Sequence, residues 1–150
     1  MKLLSFVVLC ALAAGACSKE DGNRLPTTPT TPTTPTTTVN VGFSTVDVRV
    51  GTGAEATSGR TASVNYALYH YSATATDNKG AGIQTGPFSF VVGGSQTIPG
   101  FSQATLGMKV GGLRRAIVPP SLAYGASPPA GSGIGVNETL VFEIELLAVQ

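Results

Sequence analysis

The stretch GMKVGGLRRAIVPPSLAYGASPPAGSGIGVNETLVFEIELL, residues 107–147, decides the fold of this chain. It opens with a Gly-Gly turn and a short basic strand, which Pro119-Pro120 then stops. Tyr124 follows in a turn, and a strictly alternating strand completes the stretch. Because the chain holds few reactive groups, an apolar cleft walled by aromatic side chains is the main candidate for an active site. This stretch would build much of that cleft.

Alternation of apolar and polar residues predicts that the folded part of the chain is mainly β-sheet. In the first strand Asp47 and Arg49 point away from the apolar side, and in the last strand Glu143 and Glu145 face water. The segment 113–118 is strand-like, but its inward face is ambiguous. The apolar residues predicted to share a strand face are Val46, Val48 and Val50; Ala62, Val64, Tyr66 and Leu68; Phe88, Phe90 and Val92; and Leu140, Phe142, Ile144 and Leu146.

Only one segment predicts a helix. Residues 101–108 follow Pro99-Gly100, and Gly107 lies near their end. One short helix against an antiparallel sheet predicts an α+β domain with a single core. The stretches 72–86 and 127–136 are rich in polar residues, glycine or proline and predict surface loops, where binding sites often lie.

The scarcity of histidine and cysteine excludes several kinds of site. His70 is the only histidine, and Cys10 and Cys17 both precede the folded part. The sequence therefore predicts no His-based triad, no zinc site and no disulfide in the domain. We expect His70 to lie at the end of a strand.

The charge of the chain gives no reason to expect a nucleic-acid partner. The formal net charge is +1, and no basic cluster exceeds Arg114-Arg115. Phosphate binding needs several cations on one face. We expect the two arginines to be solvated or to pair with Glu143 or Glu145 across the sheet.

The N-terminal residues predict export. Residues 1–16 place Lys2 before an apolar stretch and small residues, which is the pattern of a secretory signal peptide. The apolar stretch is shorter than the ~20 residues of a membrane-spanning helix. Residues 12–17, LAAGAC, resemble a bacterial lipobox, with Ala14 where leucine is commoner. The resemblance implies cleavage before Cys17 and lipidation of that cysteine; plain secretion with a free Cys17 is the alternative.

The next segment predicts a spacer. Residues 26–38 read PTTPTTPTTPTTT, which offers no apolar surface to bury and favours extended polyproline II. At about 3.1 Å per residue it reaches roughly 40 Å. We interpret 17–42 as a lipidated cysteine and a disordered stalk that holds a domain, residues 43–150, off a membrane. A leader with no length requirement is the alternative.

Aromatic residues gather on the predicted inner side of the domain. Tyr66, Phe88 and Phe142 fall on inward faces, Phe101 begins the helix, and Tyr124 ends the turn after the Pro-Pro stop. An ordinary hydrophobic core explains most such clusters, since each large side chain contributes about 1.5–3 kcal/mol on burial. The aromatic residues alone therefore do not identify a site.

A set of motifs in a fixed order is more specific. Together they resemble the FKBP-type peptidyl-prolyl cis-trans isomerases, from about Val46 to the C-terminus. The resemblance implies a strongly curved antiparallel β-sheet wrapped around one short α-helix, with a shallow apolar pocket for a prolyl side chain between them. The motifs are GPFSFVVGG at 86–94, TIPGF at 97–101, GMKVGG at 107–112, IVPPSLAYG at 117–125 and NETLVFEIELL at 137–147.

The resemblance also implies roles for individual residues. Tyr66 and Phe142 would form pocket walls, Phe88 would flank the pocket, and Phe101 would be its floor, where tryptophan is more common. The backbone N–H of Ile98 would bind a substrate carbonyl. The remaining two implied contacts are the hydroxyl of Tyr124, donated to the substrate backbone, and the side chain of Ile134.

One stretch departs from the family pattern. The family usually has Phe-Asp before the Pro-Phe segment, whereas the closest placement here puts Ile83 for the phenylalanine and Gln84 for the aspartate. The pocket would keep an apolar wall and lose a carboxylate.

We therefore expect a monomeric peptidyl-prolyl isomerase that needs no metal or cofactor, binds proline-containing polypeptides and assists the folding of exported proteins. It would be anchored to the bacterial cell envelope through Cys17, with the domain in the periplasm or at the surface of the outer membrane. A non-catalytic peptide-binding or chaperone module with Gln84 in its pocket is one alternative. A structural or adhesive surface domain is another.

Overall fold

The computed structural model describes residues 41–150. The predicted signal peptide 1–16, the lipidation site Cys17 and the Pro-Thr segment 26–38 lie outside the described residues. From residue 41 onward, no helix is long and apolar enough to cross a bilayer. In chain order the elements are β1 (Ser44–Arg49), β2 (Thr61–Tyr71), β3 (Lys79–Val91), helix α1 (Pro99–Thr105), β4 (Leu113–Val118), a 3-10 turn (Pro120–Leu122) and β5 (Leu140–Val149).

The strands form one antiparallel sheet in the order β1-β4-β5-β2-β3, with β5 at its centre. Phe142 of β5 pairs with Ala116 of β4 on one side and with Leu68 of β2 on the other. One antiparallel sheet and one short helix confirm the predicted α+β architecture. The alternation predicted for β5 is also confirmed, since its inner residues are all buried: Leu140, Phe142, Ile144 and Leu146.

Helix α1 packs against β4 and β5 and starts earlier than predicted. The sequence predicted residues 101–108, whereas the helix runs from Pro99 to Thr105. Proline at the first helical position costs no hydrogen bond and already has a helical φ, so it can begin the helix. The chain leaves the helix before Gly107, whose φ of +75° belongs to the left-handed region.

A glycine in the first turn sets how closely the helix approaches the sheet. A Cβ atom on Gly100 would lie 2.3 Å from Cγ1 of Val118 in β4. No larger residue fits without a shift of the backbone. Because the helix lies this close to the sheet, the next residue, Phe101, is buried in the core.

A bulge in β1 overturns the predicted alternation there. The pairing with β4 shifts between Asp47, which lies opposite Arg114, and Arg49, which lies opposite Leu113. Because neighbouring residues of β4 point to opposite faces, Asp47 and Arg49 do so too, and the prediction that they share a face was wrong. β1 is an edge strand, and the valines of this segment remain exposed: Val46, Val48 and Val50.

Glu143 lies at the centre of an ion-pair network on the outer face of the sheet. It accepts hydrogen bonds from Arg115 at 2.9 Å and from Lys79 at 3.0 Å. Glu143 was predicted to face water, but these two cations cover it, and its side chain is only 17% exposed. Glu145, two residues further along β5, pairs with Arg49 at 2.5 Å.

Arg114 differs from its neighbour. The predicted pairing with a β5 glutamate holds for Arg115 but not for Arg114, which binds Asp47 at 2.6 Å. The reason is its position opposite Ile144, which places it on the inner face of the sheet beside α1. There its guanidinium also donates to the carbonyls of Ala104 at 3.0 Å and Leu106 at 3.1 Å.

Candidate functional site

A cavity of about 380 Å³ opens between α1, the inner face of the sheet and the turn after β4. Each sequence motif that contains an aromatic residue contributes to its lining: 86–94, 97–101, 117–125 and 137–147. None of the lining side chains carries a charge at neutral pH. They are Tyr66, Leu68, Gln84, Phe88, Gln96, Thr97, Ile98, Phe101, Tyr124 and Phe142.

Strand pairing brings the sheet residues of this pocket together. Leu68 of β2 lies between Phe142 of β5 and Gln84 of β3, so three lining residues form one row across the sheet. Tyr66 lies two residues before Leu68 and therefore points to the same face. Phe88 follows on β3 at a position that pairs with Val64, also on the inner face.

Phe101 forms the floor and is 4% exposed. The centroid of its ring lies 5.3 Å from those of Phe90 and Phe142, 5.7 Å from Tyr66 and 6.3 Å from Phe88. All four contacts are edge-to-face, the arrangement that aromatic quadrupoles favour. The rings therefore hold one another in place and leave an apolar surface toward the cavity.

The hydroxyl groups of Tyr66 and Tyr124 are polar groups in this otherwise apolar lining. Burial raises the pKa of Tyr66 above its ordinary value, and the nearby phenol of Tyr124 raises that pKa further. Tyr66 therefore keeps its proton at neutral pH. Within residues 41–150 neither hydroxyl has a hydrogen-bond partner, so both remain available to a bound ligand.

A backbone donor lies beside them. Ile98 is extended, with φ −60° and ψ 147°, and its carbonyl accepts hydrogen bonds from the N–H groups of Phe101 at 3.1 Å and Ser102 at 3.3 Å. Its own N–H donates to no backbone group of the described residues. Since Ile98 lines the cavity, this N–H is placed where a ligand carbonyl could accept it.

The two residues that depart from the family pattern, Ile83 and Gln84, lie in different surroundings. Gln84 lines the pocket, whereas Ile83 packs against the edge of the core and is not part of the lining. The register between β2 and β3 shifts at this point, so that Gln84 pairs with Leu68 and Gly82 with Tyr69. Ile83 falls at the shift without a partner on β2, which removes it from the row of lining residues.

Ile134 also lies outside the lining and packs against the core. Its loop is fixed at its base by the Asn137 N–H, which donates to the Gly125 carbonyl at 2.7 Å. Glu138 fixes the same loop twice. One carboxylate oxygen accepts from the Gly135 N–H at 2.5 Å, and the other contacts Nδ1 of His70, which lies near the end of β2 as predicted.

Three lining residues were not predicted as site residues. Leu68 was assigned to the same strand face as Tyr66, and this shared face was the signal available in the sequence. Gln96 and Thr97 precede Ile98 in the loop between β3 and α1, where no periodicity indicates a direction. Gln96 is held there because its Oε1 accepts from the Val91 N–H at 2.8 Å.

Comparison with known families matches residues 53–147 to the model of the FKBP-type peptidyl-prolyl cis-trans isomerase family. The FK506-binding protein of Streptomyces anulatus is 39% identical over 107 residues, which cover 69% of this chain and 82% of that protein. The 39 kDa FK506-binding nuclear protein of Drosophila melanogaster is 42% identical over 116 residues.

Among solved structures, FkpA from Escherichia coli superposes with a TM-score of 0.58 and 32% sequence identity, over 73% of this chain. The match spans 48% of that chain, and it spans only 30% of the Drosophila protein. These relatives therefore contain further segments that have no counterpart in the matched region.

Proposed function

Because the chain belongs to the FKBP-type peptidyl-prolyl cis-trans isomerases, we propose that its pocket binds a prolyl side chain and promotes rotation about the preceding amide bond. The observation that carries the proposal is the uncharged aromatic cavity beside Tyr124 and the N–H of Ile98. Both the ring-lined surface and the polar groups at its edge suit a proline segment.

The chemistry requires no bond to be made or broken. An Xaa-Pro bond isomerises against a barrier of about 18–20 kcal/mol, which arises from amide resonance. Rotation removes that resonance, so the twisted amide is less polar than the planar one. A pocket with Tyr66 and Phe142 as walls and Phe101 as floor therefore stabilises the twisted state more than the planar ground state, and only such differential binding accelerates the step.

Two donors orient the substrate. The N–H of Ile98 binds a substrate carbonyl, and the hydroxyl of Tyr124 donates to the substrate backbone on the other side of the proline. With both flanking groups held, the rotation is confined to the one bond between them. Gln84 leaves the pocket without a carboxylate, so the rate enhancement rests on the apolar walls and on these two donors.

Exchange spectroscopy by NMR on a Leu-Pro peptide tests this directly. The purified chain should accelerate exchange between cis and trans peptide, which takes tens of seconds or longer without a catalyst. Tyr66→Ala should reduce the catalysed rate roughly ten- to a hundredfold, because it removes one wall of the pocket. Tyr71→Ala is the matched control, since Tyr71 also lies on β2 but does not line the cavity.

The same spectra separate the alternatives. Shifts on peptide binding without faster exchange would indicate the non-catalytic binding module. No shift at all would indicate a structural domain. Equal exchange rates for the parent and Tyr66→Ala would remove the pocket from the mechanism.

We also propose that the domain acts in the cell envelope on exported proteins. The support is in the sequence: the signal-like residues 1–16, the lipobox-like residues before Cys17 and the Pro-Thr segment. Mass spectrometry of the chain expressed in a bacterium should find a diacylglyceryl group on Cys17 and no residues before it. An unmodified thiol at the same N-terminus would indicate plain secretion.

A further inference from the structure

The turn that carries Tyr124 is held in place by a residue of the loop that follows it. Within the turn, the Gly125 N–H donates to the Pro120 carbonyl at 3.0 Å, which is a local contact. One backbone hydrogen bond of the described domain connects residues 119–127 to a later part of the chain, since the Asn137 N–H donates to the Gly125 carbonyl at 2.7 Å. The position of Tyr124 therefore depends on where Asn137 is held.

Asn137 has an unusual backbone conformation. Its φ of +54° lies in the left-handed region, which few residues other than glycine adopt, although asparagine tolerates it better than most. A conformation of this kind persists where the surrounding contacts hold it. The hydrogen bond to Gly125 is one such contact, and the next residue along the chain supplies others.

Glu138 supplies these contacts through both oxygens of its carboxylate. One oxygen accepts from the Gly135 N–H at 2.5 Å, and the other contacts Nδ1 of His70. His70 belongs to β2, where it lies opposite Leu140 of the central strand β5. The carboxylate therefore connects the two sides of Asn137 to each other and connects the loop to the sheet.

Resting on the proposed function, we propose that Glu138, held by His70, is a positioning residue for Tyr124. Glu138 does not line the pocket. It fixes Asn137, whose N–H fixes the Gly125 carbonyl, and the adjacent Tyr124 thereby keeps its hydroxyl where the substrate backbone can accept it. Because a hydrogen bond weakens steeply when its geometry is disturbed, a loosened loop should orient the substrate less well.

A double-mutant cycle on a Leu-Pro peptide tests this role, with Glu138→Ala and Tyr124→Phe made singly and together. Each single variant should lower kcat/KM roughly three- to tenfold, the loss expected for one hydrogen bond to the substrate. The double variant should be no slower than Tyr124→Phe alone, since no hydroxyl is then left to position. Losses that multiply in the double variant would overturn the proposal, because a general structural defect would act independently of Tyr124.

Two further variants examine the contacts of the carboxylate. Glu138→Gln keeps an oxygen that can accept from the Gly135 N–H and an amide that can bond to His70, so its kcat/KM should stay within about twofold of the parent. His70→Ala leaves the Gly135 contact and removes the one to β2, and it should reproduce the loss seen in Glu138→Ala. An unchanged rate in His70→Ala would overturn the role of His70 in holding Glu138.

Glu55→Ala is the matched control, since it removes the same charge from an exposed residue that does not line the pocket. Its kcat/KM should equal that of the parent, and a loss as large as that of Glu138→Ala would overturn the proposal by assigning the effect to the net charge of the domain.

The outcomes also separate this inference from the proposed function. A parent chain that does not accelerate exchange would overturn the isomerase and the positioning role with it. A parent that accelerates exchange, with a Glu138→Ala variant that is equally fast, would overturn the positioning role and leave the isomerase intact.

Discussion

Phe101 belongs both to the core and to the pocket floor, because its buried ring contacts the rings of four other aromatic residues. Phe101→Ala should lower the free energy of unfolding by about 3–5 kcal/mol, the usual loss for a buried phenylalanine that leaves a void. Urea unfolding followed by circular dichroism measures it. Phe88→Ala is the comparison, and its loss should be clearly smaller, since Phe88 is 37% exposed. Equal losses would contradict the central place of Phe101.

The phenol of Tyr66 gives a prediction at high pH. Burial first, and the neighbouring Tyr124 second, raise its pKa above 10.0, so the folded protein keeps this proton when the unfolded chain has already lost it. Between these two pKa values the unfolded state binds fewer protons, and stability must fall as pH rises. Urea titrations at pH 8 and at pH 10.5 should show the fall in the parent. Tyr66→Phe should reduce it, and an identical fall in both proteins would assign it to other groups.

At the scale of strands and loops, alternation predicted the inner faces of β2 and β5 correctly, because both strands have one face on the core. Alternation could not predict the shift that turns Asp47 and Arg49 to opposite sides, since a bulge depends on pairing with β4. The same limit applies to β3. Its register against β2 decides that Gln84, and not Ile83, reaches the pocket.

Loops and helix ends were harder to predict for a related reason. Gln96 lies in a segment without periodicity, and its direction follows from one hydrogen bond to the Val91 N–H. Helix α1 begins at Pro99, and the lack of a side chain on Gly100 lets its first turn approach Val118 of β4. The hydrogen bond to Val91 and the contact with Val118 form only in the folded chain, whereas Phe88, Phe101, Tyr124 and Phe142 are already present in the sequence motifs.

The loop after Tyr124 gives a prediction at the same scale. Glu138 ties it to His70 and to the Gly135 N–H, so Glu138→Ala should loosen the loop without unfolding the sheet. The amide hydrogen of Gly135 should exchange about fivefold faster, in line with the loss of a hydrogen bond worth roughly 1 kcal/mol. Glu55→Ala is the control, since Glu55 lies outside this loop on the exposed surface. Unchanged exchange at Gly135 would show that the loop is held by other contacts.

At the scale of the whole molecule, Glu143 connects strands that are far apart in sequence. Its partners Arg115 and Lys79 lie on β4 and β3, and Lys79 also lies 5.1 Å from the centre of the Tyr69 ring on β2. The network therefore spans four of the five strands, including the central one. It covers the face opposite the pocket, so a change there should alter stability with little direct effect on the site.

Burial alone would raise the pKa of Glu143, but the hydrogen bonds from Arg115 and Lys79 outweigh it and hold the pKa below 4.5. A depressed pKa stabilises the fold above the unfolded value, and that stabilisation is lost as pH falls through the folded value. Glu143→Gln should therefore cost about 1–3 kcal/mol at pH 7, since it breaks hydrogen bonds between charged groups. Urea unfolding from pH 7 down to pH 3 should show the gap between parent and variant closing below pH 4.5. Glu145→Gln should give a smaller gap throughout, because Glu145 is more exposed and pairs with Arg49 alone. A gap for Glu143→Gln that stayed constant over this range would show that the ionised carboxylate does not connect these strands.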